Sequence, residues 1–354
     1  MSLPTEPIGS IPRPKALIEA IQAYENGRLD RNDLDEIYDK AIKETIETFE
    51  AIGSPVITDG EQTKPSFITY PIHGLDNLEP DGQIITFKDG HIRQLPRLTE
   101  GPFQYRKYAD IYLTEALEYA TRPIKQTVIS PSALSLIYPD EGIEAYPKEK
   151  FLEDLTDEVE KEIRLCFEKG AYKVQIDFTD GRLAVKLDPS LDLLKYFIHL
   201  NNRVLNRFSR EEQKCIGIHT CPGSDQCSTH SADVDCGKLL PLLFTLNAGS
   251  FYIQFAGESD KESILQCINK YMGPEQVIFL GVIDVINPRL ERPEEVRDLI
   301  LKAAEYIPVI QLGTTDDCGF APFSDDLTIS REAAFDMVKA RIEGTKLASA
   351  ELNV

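Results

Sequence analysis

The chain has 354 residues, 42% hydrophobic and 27% charged, with a formal net charge of −21. That length can bury a large core, and no dense Lys/Arg stripe supplies the positive footprint that nucleic-acid binding needs. No apolar run is long enough to span a bilayer and MSLPTEPIGS lacks a basic-then-apolar leader, so neither a membrane nor a nucleic acid is an expected partner and the cytoplasm is the expected compartment.

Short β-branched runs alternate with longer amphipathic patterns. The first expected strand is PIGSI (7–11), with a helix at 30–52, and PVITDG (55–60) is the second. Residues 66–107 do not fit a simple repeat. Their two β-rich patches flank the turn signal Lys88-Asp89-Gly90 and read as a hairpin excursion after the second strand. A helix at 108–121 follows, then a strand at 124–130, a helix at 148–170 and a strand at 173–178. Asp188-Pro189-Ser190 reads as the cap and first turn of a helix over 189–208. Strands at 215–220, 250–256, 277–285 and 309–314 then alternate with helices at 235–247, 260–272, 293–305 and 328–346, and 346–354 are expected to fray. Eight strand-then-helix units predict an α/β fold, a (β/α)8 TIM barrel forming one catalytic domain over 1–354. No GxGxxG follows the first strand, which counts against a dinucleotide site.

A barrel of this kind works at the C-terminal ends of its strands. Those ends carry Ser10, Asp59 and Glu61, Asp177, then His219 with Cys221, Gln254 with Glu258, Asp284 and Cys318. In GIHTCPG (217–223) the period-2 alternation of a strand turns His219 and Cys221 to one side. With seven cysteines, an odd number, a disulfide framework is a poor reading, and metal ligation or burial is the choice for each. His219, Cys221 and Cys318 read as three protein ligands of a catalytic Zn2+ with an exchangeable fourth position. Such an ion can hold a substrate thiol as thiolate. Cys227, His230 and Cys236 have no finger or ribbon spacing and read as loop or helix residues.

PIGSIPRP, ITDGEQ, VQID, the H-x-C pair, LGVIDVINPR and DDCGF occur in the order found in the catalytic barrel of cobalamin-independent methionine synthase, which the chain resembles over roughly 5–345. The resemblance implies a (β/α)8 barrel and a zinc-dependent S-methyltransferase that passes a methyl group from a methyl-tetrahydrofolate-type donor to homocysteine. It makes His219, Cys221 and Cys318 the catalytic zinc ligands, and sets Ser10, Glu61 and Asp177 around the amino-acid end of homocysteine. Its remaining ligand is a glutamate, for which Gln254 and Glu258 are both candidates here, Glu258 being the expected one. Where the family has a histidine suited to general acid work the chain has Ile286, and it has no tryptophan. These departures leave open a corrinoid-protein methyl donor, or an alkyltransferase or lyase using another small thiol.

Overall fold

Six of the expected strands form one parallel sheet: β1 (Lys125–Ile129), β2 (Lys173–Asp177), β3 (Ile216–Thr220), β4 (Ser250–Ile253), β5 (Val277–Gly281) and β6 (Leu312–Thr315). They lie side by side in chain order, each bonded to the next. Their side chains are buried on both faces, as in sheets covered by βα crossovers. The structure, a computed structural model, describes residues 2–231, 234–287 and 289–354, so Pro288 of LGVIDVINPR lies outside it.

The first two expected strands, 7–11 and 55–60, are not continuous strands. Each flank of the sheet receives a single parallel bridge instead, Thr5 with Thr314 beside β6 and Ile57 with Ile124 beside β1. Proline explains much of this: Pro4, Pro7, Pro12 and Pro55 have no N–H to give a ladder. The two segments still touch, with Ile11 N–H donating to Gly60 O (3.0 Å) and Thr58 Oγ1 to Gly9 O (2.8 Å).

Helices cover the sheet. In Lys148–Glu168, Phe151, Leu155, Val159 and Ile163 recur every fourth residue and are buried. Each contributes roughly 1.5–3 kcal/mol of apolar burial. Glu162 lies in the same helix with its carboxylate buried, accepting from Tyr70 Oη and Ala109 N–H at 2.8 Å each. Burial lifts that carboxyl from 4.5 to about 7. Ionising it therefore costs stability: the contribution is intact below pH 4.5 and lost as pH rises through 7. Glu162→Gln should flatten this component, the gap from the parent growing to roughly 3 kcal/mol above pH 7 in chemical denaturation.

Two helical ends differ from expectation. Helix Asp192–Leu205 starts later than Asp188-Pro189-Ser190 suggests. Leu191 takes φ +67°, and Asp188 serves the helix from outside by accepting the Leu193 amide (2.9 Å). Residues 346–352, expected to fray, continue helix Arg331–Leu352, because Ser349 is buried and its Oγ accepts the Leu3 amide at 3.0 Å. Cys215 is exposed at the end of a short helix, Arg210–Lys214, so the strand begins one residue after it.

Within 66–107, Ile84–Thr86 pairs antiparallel with Ile92–Gln94, and Gly90 takes φ +95° in the turn between them. The hairpin docks on the segment that follows β3. Lys88 N–H donates to Thr229 O (2.8 Å), and the buried Asp225 accepts from Arg93 Nε (2.6 Å). Among the described residues no helix is long and apolar enough to cross a membrane.

Candidate metal centre

β3 delivers His219 one residue before its end, and Cys221 follows directly beyond it. Cys318 arrives on the loop after β6. All three are buried and their ligand atoms lie within 4.8 Å of one another. The two sulfurs are 3.1 Å apart. His219 Nδ1 lies 3.3 Å from the Tyr252 carbonyl, which accepts its proton and leaves Nε2 with a lone pair. That Nε2 is buried with no hydrogen-bond partner. A buried acceptor without a donor is costly, so one imidazole lone pair and two sulfurs converging on one point suit a soft dication. The donor set fits zinc.

The proton between the sulfurs is shared unevenly. Cys221 donating to it, together with nearby His219, holds the Cys318 thiol well below its usual range, whereas burial pushes the Cys221 thiol up. The Gly223 amide also points at Cys221 Sγ, at 3.3 Å. Gly223 has φ +69°, and a Cβ there would lie 1.9 Å from His230 Cε1. His230 is buried and its Nδ1 donates to Gly223 O (3.0 Å), so it braces the turn that sets Cys221. Gly223→Ala must shift this turn, and zinc affinity should fall about 10- to 100-fold in competition with a chromophoric chelator. An unchanged affinity would show that the turn does not set the sulfur.

Ser10, Glu61 and Asp177 are brought together with His219 and Cys318 around one small cavity closed by Phe67 and Pro322. Asp177 ends β2 in register with His219 and accepts from Gln175 Nε2 at 2.7 Å. Burial lifts its carboxyl to about 6, with His219 pulling it back. Glu61, at φ +55°, accepts from Thr127 Oγ1 (2.5 Å) and pairs with the buried Lys64 (3.3 Å). Ser10 Oγ accepts the Ala321 amide (3.1 Å), which leaves its own proton to donate. Arg13 is buried as well. Its guanidinium donates to the carbonyls of Glu61, Gln62, Lys64, Ala321 and Phe323, tying the Glu61 turn to the loop that carries Cys318.

Glu258 is not brought to the trio. Its carboxylate pairs with the buried guanidinium of Arg182. Gln254 follows the Ile253–Thr220 pair of the ladder, which sets it beside Cys221. Both line a second cavity together with Asp284 and Ile286. Sequence reasoning missed Asp317. Its Oδ1 accepts the amides of Phe255 (2.8 Å) and Ala256 (2.9 Å), and its Oδ2 that of Gly257 (2.6 Å), fixing the Gln254 turn to the residue before Cys318. Burial lifts that carboxyl to about 8 against the pull of the three amides. The DDCGF run marked the place but not this partnership.

Residues 206–341 match the family model of the cobalamin-independent synthase catalytic domain. The chain is 24% identical over 350 residues to a methionine synthase of Saccharolobus solfataricus, covering 99% of this chain and 96% of that one. A methionine synthase of Sulfurisphaera tokodaii is likewise 24% identical over 350 residues, with 99% and 94% covered. Among solved structures, a B12-independent methionine synthase from Shewanella in complex with selenomethionine superposes with a TM-score of 0.78 at 20% identity, covering 100% of this chain and 99% of that one. A putative vitamin-B12 independent methionine synthase from Listeria monocytogenes superposes at 0.70 with 23% identity, 98% of each chain being covered. These structures share the fold.

Proposed function

Because the chain is a homologue of the cobalamin-independent methionine synthase catalytic domain, we propose that it transfers a methyl group to the sulfur of homocysteine, forming methionine, in the cytoplasm. The observation that carries this reading is the orphaned Nε2 of buried His219 meeting two sulfurs 3.1 Å apart. His219, Cys221 and Cys318 hold a zinc ion, which would keep the acceptor sulfur deprotonated at neutral pH. Glu258 joins them only by exchanging its Arg182 partner for the ion. We read the (β/α)8 barrel as closing through the two bridged segments, which bring Ser10 and Glu61 to the mouth.

The chain's own residues then define the acceptor. Glu61 and Asp177 hold an ammonium, and the Ser10 hydroxyl donates to a carboxylate. A sulfonate thiol would need cations in those places, so the two carboxylates favour homocysteine. Thr127 and Lys64 hold the Glu61 carboxylate, while Gln175 holds that of Asp177. Phe67 and Pro322 keep bulk water from the reacting sulfur. The donor must reach that sulfur from the neighbouring cavity behind Pro222.

Adding homocysteine to the zinc-loaded protein at neutral pH should release about one proton per site. Stoichiometric zinc with no proton release for any thiol would refute the reading.

A further inference from the structure

Past Pro222, the residue between Cys221 and Gly223, lies a cavity of about 660 Å³. That is large enough for a small second substrate. Gln254 and Glu258 line it, as do Arg182 and Asp284, and the exposed Lys88 stands at its edge. Among the described residues neither an aromatic ring nor a histidine lines it. A flat pterin would gain from an aromatic platform, which the lining among the described residues does not supply.

The charges point elsewhere. Arg182 is committed to Glu258. Asp284 accepts only the Ile286 amide (3.1 Å) on its side chain, and neither Asp284 nor Lys88 makes an ion pair among the described residues. Gln254 is more than nine-tenths buried, faces the cavity, and its side-chain amide makes no hydrogen bond there. One unpaired carboxylate, one unpaired ammonium and an unused amide form a lining for a zwitterion.

We propose that this cavity is the methyl-donor site and takes a methylsulfonium carboxylate, with Asp284 facing the sulfonium, Lys88 the carboxylate, and Gln254 orienting the donor beside Cys221. The inference rests on the acceptor chemistry above. In the step, the acceptor's thiolate gives an electron pair to the methyl carbon. A new S–C bond forms as the C–S+ bond breaks, and that pair stays on the leaving sulfide, which departs neutral. No proton moves in this step.

The test presents donors singly to the zinc-loaded full chain with homocysteine: dimethylsulfoniopropionate, S-methylmethionine, 5-methyl-tetrahydropteroyl-triglutamate, methylcobalamin, and methyl iodide as a donor that needs no site. One of the sulfonium compounds should yield methionine at least about a hundredfold faster than the folate or methylcobalamin. Asp284→Asn should lower kcat/KM for that donor about 10- to 100-fold and weaken its calorimetric binding without homocysteine, leaving homocysteine-dependent proton release intact. A faster folate or methylcobalamin reaction, or an Asp284→Asn protein that binds and uses the sulfonium unchanged, overturns the proposal. Methionine from methyl iodide alone overturns it too, yet leaves the acceptor reading standing. No methionine even from methyl iodide, with no thiol-dependent proton release, brings down both.

Discussion

Replacing Cys318 with serine is expected to weaken zinc binding by at least about a thousandfold, roughly 4 kcal/mol at 1.4 kcal/mol per decade. The cause is local. Cys318 is the more acidic of the two buried thiols, because Cys221 and His219 both favour its thiolate. A serine hydroxyl stays protonated at neutral pH and is a hard, weak ligand. Only one imidazole and one sulfur would then remain, and Cys221, whose thiol burial already pushes up, would lose its neighbouring sulfur. Proton release on adding homocysteine should disappear with the metal. Cys267→Ser is the control: that thiol sits half-buried on helix Lys261–Tyr271, away from the trio, and its loss should change neither quantity. Equal affinity in the parent and the Cys318→Ser protein, by chelator competition, would remove Cys318 from the site.

Arg341→Met should give the largest loss of stability among the substitutions considered, about 3–5 kcal/mol. Arg341 is fully buried in helix Arg331–Leu352 and its Nη1 pairs with the carboxylate of Asp316, which is buried as well. Removing the cation strands an anion where burial already raises its pKa. Asp316 and Asp317 lead directly into Cys318, so the pair anchors the loop that presents the metal ligand. The denaturation midpoint should fall with an unchanged slope. Arg341→Met combined with Asp316→Leu should recover most of the loss, because replacing both members of a buried pair with apolar groups removes the stranded charge. A midpoint that the single replacement leaves in place would mean that the pair does not hold this loop.

Much of the centre was legible because its parts obey local rules. The alternation of β3 puts His219 and Cys221 on one side, and a strand-to-loop transition in TTDDCGF puts Cys318 at the same end of the sheet. Six strands were readable for the same reason, as short β-branched runs that are buried on both faces. The segments 7–11 and 55–60 carried the same apolar signal. Proline removed the amides a ladder needs, leaving single bridges. The misread partners are all long-range. Glu258 shares strand parity with Gln254, but nothing near it in sequence announces Arg182, 76 residues away. Nothing near Arg13 in sequence announces its five carbonyl partners, which lie on two distant turns. Asp317 looked like one more acid in DDCGF until the fold placed three successive amides around it.

X-ray absorption of the zinc-loaded protein, before and after homocysteine is added, tests the central claim most directly. The account predicts one nitrogen-type imidazole and two sulfurs at about 2.3 Å in the free protein, and a third sulfur at the same distance with homocysteine present. A sulfur count of two that homocysteine leaves unaltered, or fewer than two in the free protein, would contradict it.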